Sequence, residues 1–150
     1  MPHIRDMRNL AAILIAFCIS TNVSAADFAA GAEAYDGGRY GEAFAEWHAL
    51  AREGEIRAQV AIANMYRFGE GRPPDFTAAA RWYRRAAEGG NPIAQLNYAE
   101  MLETGRGVGP DPIAALIWYD RAALQGNEWA ARQRDRLTAK SKKRPLRGSR

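Results

Sequence analysis

The chain repeats itself with a period of 36 residues, and this constrains its fold more than any other feature. Residues 55–90 and 91–126 align without a gap and are identical at 16 of 36 positions. A period of this length is typical of stacked structural units, each of which buries its apolar face on its neighbours. The sequence therefore predicts a stack of like units, an architecture that mostly binds other macromolecules.

Each unit is predicted to hold two helices. The first runs over about 58–68 and again over 94–104, and the second begins at Asp75 and Asp111, whose carboxylates can cap free backbone N–H groups. Glycine just past a helix accepts the left-handed conformation that a helix end requires. The predicted helix ends are marked by Gly69, Gly71, Gly90, Gly105, Gly107 and Gly126.

Weaker units extend the pattern in both directions. Residues 28–54 are predicted to form a degenerate first hairpin, and residues 127–138 to form a terminal cap. The predicted fold is all-α: an α-solenoid of about three antiparallel helix pairs and a C-terminal capping helix, within residues 26–138. In the cap, the residues expected to face inward are Trp129, Ala130, Gln133 and Leu137. The residues expected to form a polar outer face are Arg132, Arg134 and Arg136.

The N-terminus has the features of a secretory signal peptide. Arg5 and Arg8 precede an apolar run over 10–19 that is too short for an ordinary membrane-spanning helix. Small residues at 23–25 predict cleavage after Ala25, with Ala26 as an alternative end. A retained anchor is the other interpretation. Cleavage would remove Cys18, the only cysteine, and place the mature chain in the periplasm or outside the cell.

The C-terminal segment 139–150 is strongly basic and is predicted to be disordered. Three interpretations stay open: a solvated end, contact with anionic lipid or cell-wall polymer, or nucleic-acid binding, which the predicted export disfavours. The residues expected to make electrostatic contacts are Lys140, Lys142, Lys143, Arg144 and Arg147.

The repeated residues resemble the Sel1-like repeat, a relative of the tetratricopeptide repeat. In the second copy, Leu102 stands where the first has Tyr66. The resemblance covers 55–126 well and about 28–138 weakly. Its pattern is carried in the first copy by Ala58, Ala63, Met65, Tyr66, Gly69, Gly71, Asp75, Ala79, Trp82, Tyr83, Ala86, Ala87 and Gly90.

This resemblance implies an adaptor or regulator that binds protein partners in the cell envelope. An alternative is a scaffold tethered by its basic tail to anionic lipid or cell-wall polymer. A third hypothesis is a hydrolase of a cell-wall substrate or β-lactam. Cysteine-rich secreted relatives are associated with β-lactam binding or hydrolysis, but this chain lacks their cysteines, so that activity is not carried over.

Residues typical of catalysis are sparse in the predicted mature chain. Its one histidine, His48, has no nucleophile motif near it and is expected to be a solvated surface residue. No phosphate-binding loop and no zinc-ligand spacing occur. We therefore predict a protein that is not an enzyme and that uses no metal and no cofactor.

Two surfaces are candidates for binding. The pairs Trp82-Tyr83 and Trp118-Tyr119 would suit ligand stacking, but their fixed phase beside alanines favours a role as wedges between helices. Recognition is predicted instead on the concave face, at first-helix positions that differ between copies; ordinary solvated surface is the alternative. These positions are Val60, Asn64, Arg67, Leu96, Glu100 and Glu103.

Overall fold

The structure, a computed structural model, describes residues 28–142. Across that range the chain forms seven helices and no strand, and the predicted all-α solenoid is confirmed. The predicted signal segment 1–25 and residues 143–150 lie outside the described residues. The helices are α1 (28–36), α2 (Tyr40–Glu53), α3 (Ile56–Phe68), α4 (Phe76–Glu88), α5 (Pro92–Thr104), α6 (Pro112–Leu124) and α7 (Glu128–Lys142).

Each helix from α2 onward packs mainly on the helices before and after it in the chain. Short connections between such neighbours make consecutive helices antiparallel. The hairpins α1–α2, α3–α4 and α5–α6 therefore stack in order, with α7 as a final single helix. Packing mainly between consecutive helices, with each unit contacting only the next, is typical of a solenoid.

Side-chain caps fix where the helices begin. Asp75 accepts a hydrogen bond from the Ala78 amide at 2.8 Å, and Asn91 accepts one from the Ala94 amide at 2.9 Å. Helix α5 starts at Pro92 after its cap Asn91, as the Asn91-Pro92 pair predicts. Helix α3 starts at Ile56, two residues before the expected Ala58, because its cap is Glu55, which is not one of the preferred capping residues.

Two glycines show why the repeat keeps this residue type. Gly69 ends α3 with φ of 72°, in the left-handed region that residues with a Cβ rarely adopt. Gly107 also has positive φ, and a Cβ there would lie 2.1 Å from the main-chain oxygen of Phe76. The loop between α5 and α6 can thus pack against the start of α4 only without a side chain at position 107.

The Trp-Tyr pairs are divided between core and surface. Tyr83 and Tyr119 are buried, at 0% and 2% exposed, among alanines that allow close helix approach. Trp82 and Trp118 are only half-buried at the edge of this core. The prediction of wedges between helices therefore holds fully for the tyrosines and in part for the tryptophans.

The buried stripe of α6 differs from the one that the sequence predicts. Apolar periodicity predicts a stripe that includes Ile113, Ile117 and Tyr119. Ile113 and Ile117 are instead 76% and 51% exposed. The buried residues of this helix are Ala115, Tyr119 and Ala122. Because a helix turns 100° per residue, positions two before Ala115 and Tyr119 point to the far side.

Helix α7 closes the stack with a polar outer face. Tyr98, Ala99 and Leu102 are buried on α5, and the positions 36 residues later are polar. A helix with polar residues there cannot bury a further hairpin, as a terminal unit requires. The polar replacements are Arg134, Asp135 and Thr138.

Two expectations for the cap are wrong. Trp129, predicted to face inward, is 55% exposed, whereas Ala130 and Leu137 are buried as expected. Disorder was expected from residue 139, but α7 continues to Lys142. Lys140 and Lys142 therefore lie exposed in the last helical turn, because the helix keeps its backbone hydrogen bonds after its core contacts end.

Candidate functional site: a groove on the first-helix face

The first helices of successive units share one face, which we call the first-helix face (the side chains of α3, α5 and α7 that contact one another). Arg67 Nη2 on α3 lies 2.8 Å from Glu100 Oε2 on α5. Arg136 Nη2 on α7 lies 2.6 Å from Glu103 Oε1 on α5. Each ion pair spans 33 residues and joins one unit to the next.

A groove of about 250 Å³ opens on this face between α5 and α7. Its base is formed by the half-buried Leu96 and by the ring of Tyr119. A cleft that mixes apolar surface with a few fixed polar groups is the usual form of a binding site. The polar and aromatic walls are Asn97, Glu100 and Glu103 from α5, and Trp129, Gln133 and Arg136 from α7.

Arg67 holds the α3 edge of the groove in place. Its guanidinium donates to Glu100 and also, at 2.8 Å, to Asn97 Oδ1. Burial of Arg67 would by itself lower its pKa, but the hydrogen bond and charge of Glu100 raise the pKa overall. The arginine therefore stays charged, while Glu100, at 50% exposed, still faces solvent.

Glu103 is held more firmly than Glu100. It accepts two hydrogen bonds from Arg136 and one, at 3.1 Å, from the hydroxyl of Tyr119. Burial, together with the charge of Glu103, raises the pKa of Tyr119. At neutral pH the phenol therefore remains a proton donor, and the Glu103 side chain is fixed at 17% exposed.

The structure brings only some of the predicted concave-face residues together. Leu96, Glu100 and Glu103 line the groove, and Arg67 borders it through Glu100. Val60 packs half-buried against the core, and Asn64 accepts a hydrogen bond from Tyr83 at 2.5 Å. Both lie outside the groove, so part of the predicted set supports the fold.

Helix α7 contributes three residues to this groove that were not predicted to line it. Gln133 stands 36 residues after Asn97, Arg136 stands 36 after Glu100, and Trp129 stands 36 after the exposed Ile93. Carrying the repeat alignment into the cap would have assigned all three to the same face. Periodicity within α7 alone instead predicts Trp129 and Gln133 on an inward face.

His48 is not the solvated residue that was expected. Its ring stacks on Phe44 with centroids 5.2 Å apart and meets Trp82 edge-on at 5.7 Å. Burial lowers the pKa of His48, and the nearby charges of Arg52 and Arg72 lower it further. The imidazole therefore packs as a neutral aromatic ring between α2 and α4.

Within residues 28–142, no cluster of three or more His, Cys, Asp or Glu side chains is placed to hold a metal ion. Over the same range, no helix has both the length and the hydropathy needed to cross a bilayer.

These features define an α-solenoid of helical hairpins with a groove on one face. The family model for the Sel1 repeat matches residues 56–91 and 92–127. The chain therefore carries two Sel1 repeats, as the repeated residues indicated. Sel1-repeat proteins generally mediate protein–protein interaction, and their solenoid is typically a non-catalytic scaffold.

Solved structures show the same fold. A protective antigen from uropathogenic Escherichia coli strains, with an SLR fold, has a TM-score of 0.71 at 30% identity. That similarity covers 76% of this chain and 25% of the antigen. A Sel1 repeat protein from Oxalobacter formigenes gives 0.69 at 30% identity, covering 74% of this chain and 46% of the other. The chain thus spans less than half the length of either protein.

Helicobacter pylori cysteine rich protein B is similar in fold alone, with a TM-score of 0.57 at 19% identity. That similarity covers 59% of this chain and 67% of the other. Among curated proteins, none matches this sequence.

Proposed function

We propose that this chain is an adaptor or regulator that binds a protein partner through the groove on its first-helix face. The observation that carries the proposal is Trp129, a large aromatic side chain that stays 55% exposed beside Glu100 and Gln133. An exposed tryptophan in a cleft contributes little to the core, and tryptophan is enriched among residues that dominate binding energy. The family's general role in protein–protein interaction supports the same class of ligand.

The proposal includes export to the periplasm and a role in a cell-envelope process. Its support is the charged start, apolar run and small residues of segment 1–25. Cell fractionation and N-terminal sequencing of the protein from its native host test this part. Export predicts a mature chain that starts at residue 26 or 27; an intact Met1 in a cytosolic fraction contradicts it.

We infer a non-catalytic role. The groove offers two carboxylates, but Glu100 pairs with Arg67 and Glu103 pairs with Arg136, so neither is a free general base. A cell-wall or β-lactam hydrolase is the competing hypothesis. Covalent labelling by a β-lactam acylating probe would favour it over the adaptor.

A second candidate function is a scaffold tethered to the envelope by the basic C-terminal end. It is favoured by Lys140 and Lys142, which lie exposed in the last turn of α7, where the helix directs them away from the core. Each basic residue near an anionic surface contributes about 1 kcal/mol. Co-sedimentation with envelope that is lost at high salt, or lost on deleting residues 139–150, would select this function; sedimentation unaffected by both would exclude it.

The groove itself is tested by a charge swap. The double substitution Arg67→Glu/Glu100→Arg keeps an ion pair between α3 and α5 but removes the arginine that donates to Asn97 Oδ1 on the groove wall. We expect it to keep the fold and to lose capture of the partner that the wild type retains. The swap Arg84→Glu/Glu88→Arg, on the exposed side of α4, is the matched control and should retain capture. Unchanged capture by the groove swap would refute binding at this face.

A further inference from the structure

The groove holds two side-chain amides whose orientation is fixed by arginines. Arg67 Nη1 donates to Asn97 Oδ1, and Arg136 Nε donates to Gln133 Oε1, each at 2.8 Å. Because a guanidinium has donors and no acceptor, each amide must direct its oxygen toward the arginine and its NH2 group away from it. Asn97 and Gln133 occupy the same position of successive units and line the same groove.

The two NH2 groups are available for a ligand. The side-chain nitrogens of Asn97 and Gln133 donate to no protein acceptor within residues 28–142. Neither nitrogen is fully buried. Both therefore keep some contact with solvent, and both residues line the groove. An oriented donor that binds only water in the free protein can bind a carbonyl oxygen at small cost, because the side chain is already held.

The charges of the groove cancel. Glu100 is paired with Arg67, and Glu103 is held by Arg136 through two hydrogen bonds. A ligand with a net charge would have to separate one of these pairs to gain a partner. An uncharged ligand with acceptor oxygens would leave both pairs intact.

Apolar surface lies beside the donors. The Trp129 ring stands at the α7 wall, and Leu96 contributes aliphatic surface at the base. A bulky apolar side chain placed there would remove apolar area from water, which favours binding. The groove therefore combines two donors with one apolar surface.

We infer that the groove binds an uncharged segment of a partner protein in an extended conformation. The NH2 groups of Asn97 and Gln133 donate to its main-chain carbonyls, and a bulky apolar side chain packs on Trp129. An extended chain leaves its carbonyl oxygens free and advances about 3.3 Å per residue, so carbonyls of different residues can reach the two amides. This inference rests on the proposed function and specifies the chemistry of the partner.

The test uses the full chain and three fluorescently labelled nonapeptides with blocked termini, measured by fluorescence anisotropy. One peptide is built from Ser, Gly and Thr with a central Leu and Phe; the second adds two Asp and the third adds two Lys. We expect the uncharged peptide to bind more tightly than either charged one. Asn97→Asp/Gln133→Glu keeps an acceptor oxygen for each arginine but removes both donors.

This double variant should bind the uncharged peptide about thirtyfold more weakly, which is the combined effect of losing two hydrogen bonds. Trp129→Ser should also weaken it, whereas Ile117→Ser, at a similarly exposed site on α6, should not. Thermal melting verifies that each variant is folded. Wild-type preference for a charged peptide, no binding of any peptide, or full affinity in the double variant would overturn the inference. In each of these cases the Arg67→Glu/Glu100→Arg swap is still expected to abolish partner capture if the proposed function is correct. Failure of this inference is therefore distinguishable from failure of the proposed function.

Discussion

The guanidinium of Arg67 on α3 lies 2.8 Å from the carboxylate of Glu100 on α5. The same 33-residue step joins Glu103 to Arg136, with acid and base exchanged. Equivalent positions of successive units thus form both ion pairs. The arginine lies on the earlier helix in the first pair and on the later helix in the second. The repeat preserves the contact between units rather than the residue type.

The Arg67–Glu100 pair should contribute measurable coupling to stability. Arg67 is 19% exposed and also binds Asn97, so its pair is better ordered than a surface pair. A double-mutant cycle of Arg67→Ala and Glu100→Ala, followed by urea unfolding, should give a coupling free energy of about 1 kcal/mol. The control pair Arg84–Glu88, with both side chains more than half exposed, should give at most about 0.5 kcal/mol. Equal coupling in both cycles would contradict this role.

Tyr83 should matter more to folding than Trp82. Tyr83 is fully buried, and truncation to alanine should lower the free energy of unfolding by about 3–5 kcal/mol through the cavity it leaves. Trp82 is half-buried, and Trp82→Ala should cost about 1–2 kcal/mol. Thermal melting of both variants gives the order. Wild-type stability of either variant would show that the substituted residue does not stabilise the packing between helices.

Two buried glutamines provide a comparison between units. Gln59 and Gln95 donate to the main-chain oxygens of Ala51 and Ala87, but only the Gln95 side-chain oxygen accepts a bond, from Gln125 at 2.9 Å. The corresponding oxygen of Gln59 has no partner. We expect Gln95→Leu to destabilise the protein by about 1 kcal/mol more than Gln59→Leu, because it breaks one more hydrogen bond, the one from Gln125. Urea unfolding measures the difference, and the reverse order would refute the explanation.

Stability should fall at mildly acidic pH because of His48. Burial lowers its pKa in the folded state below the usual 6.5, so the unfolded chain binds more protons in this range. The contribution is fully present above pH 6.5 and is lost as the pH falls from 6.5 through the lowered pKa of the folded state. The decrease in unfolding free energy between pH 7 and pH 5 should be smaller in His48→Gln than in the wild type. His3 is present in both proteins and cancels. Parallel pH profiles would show that His48 titrates equally in both states.

The framework was predictable because it depends on local chemistry. Capping by Asp75 and the left-handed turn at Gly69 are properties of a few consecutive residues, and both occur again in the second copy of the repeat. The period also indicates the stacking, since each unit needs a neighbour to bury its face.

The groove was only partly predictable because it depends on contacts across units. The sequence identified Glu100 and Glu103 as variable positions but did not show that Arg67 and Arg136 neutralise them. The exposure of Trp129 depends on the packing angle of α7, which short-range periodicity does not determine. His48 was misassigned for a similar reason, since Phe44 and Trp82 enclose it from two different units.

The most direct test of the central claim is site-specific photo-crosslinking in the native host. A benzophenone amino acid is placed singly at Gln133 in the groove, at Glu100 on its rim, and at Ile113 or Ile117 on the exposed side of α6. Binding through the groove predicts a crosslinked partner protein from Gln133 and Glu100, with none from the two α6 positions. Crosslinks from Ile113 or Ile117 alone would contradict it and would place the partner on the opposite face of the solenoid.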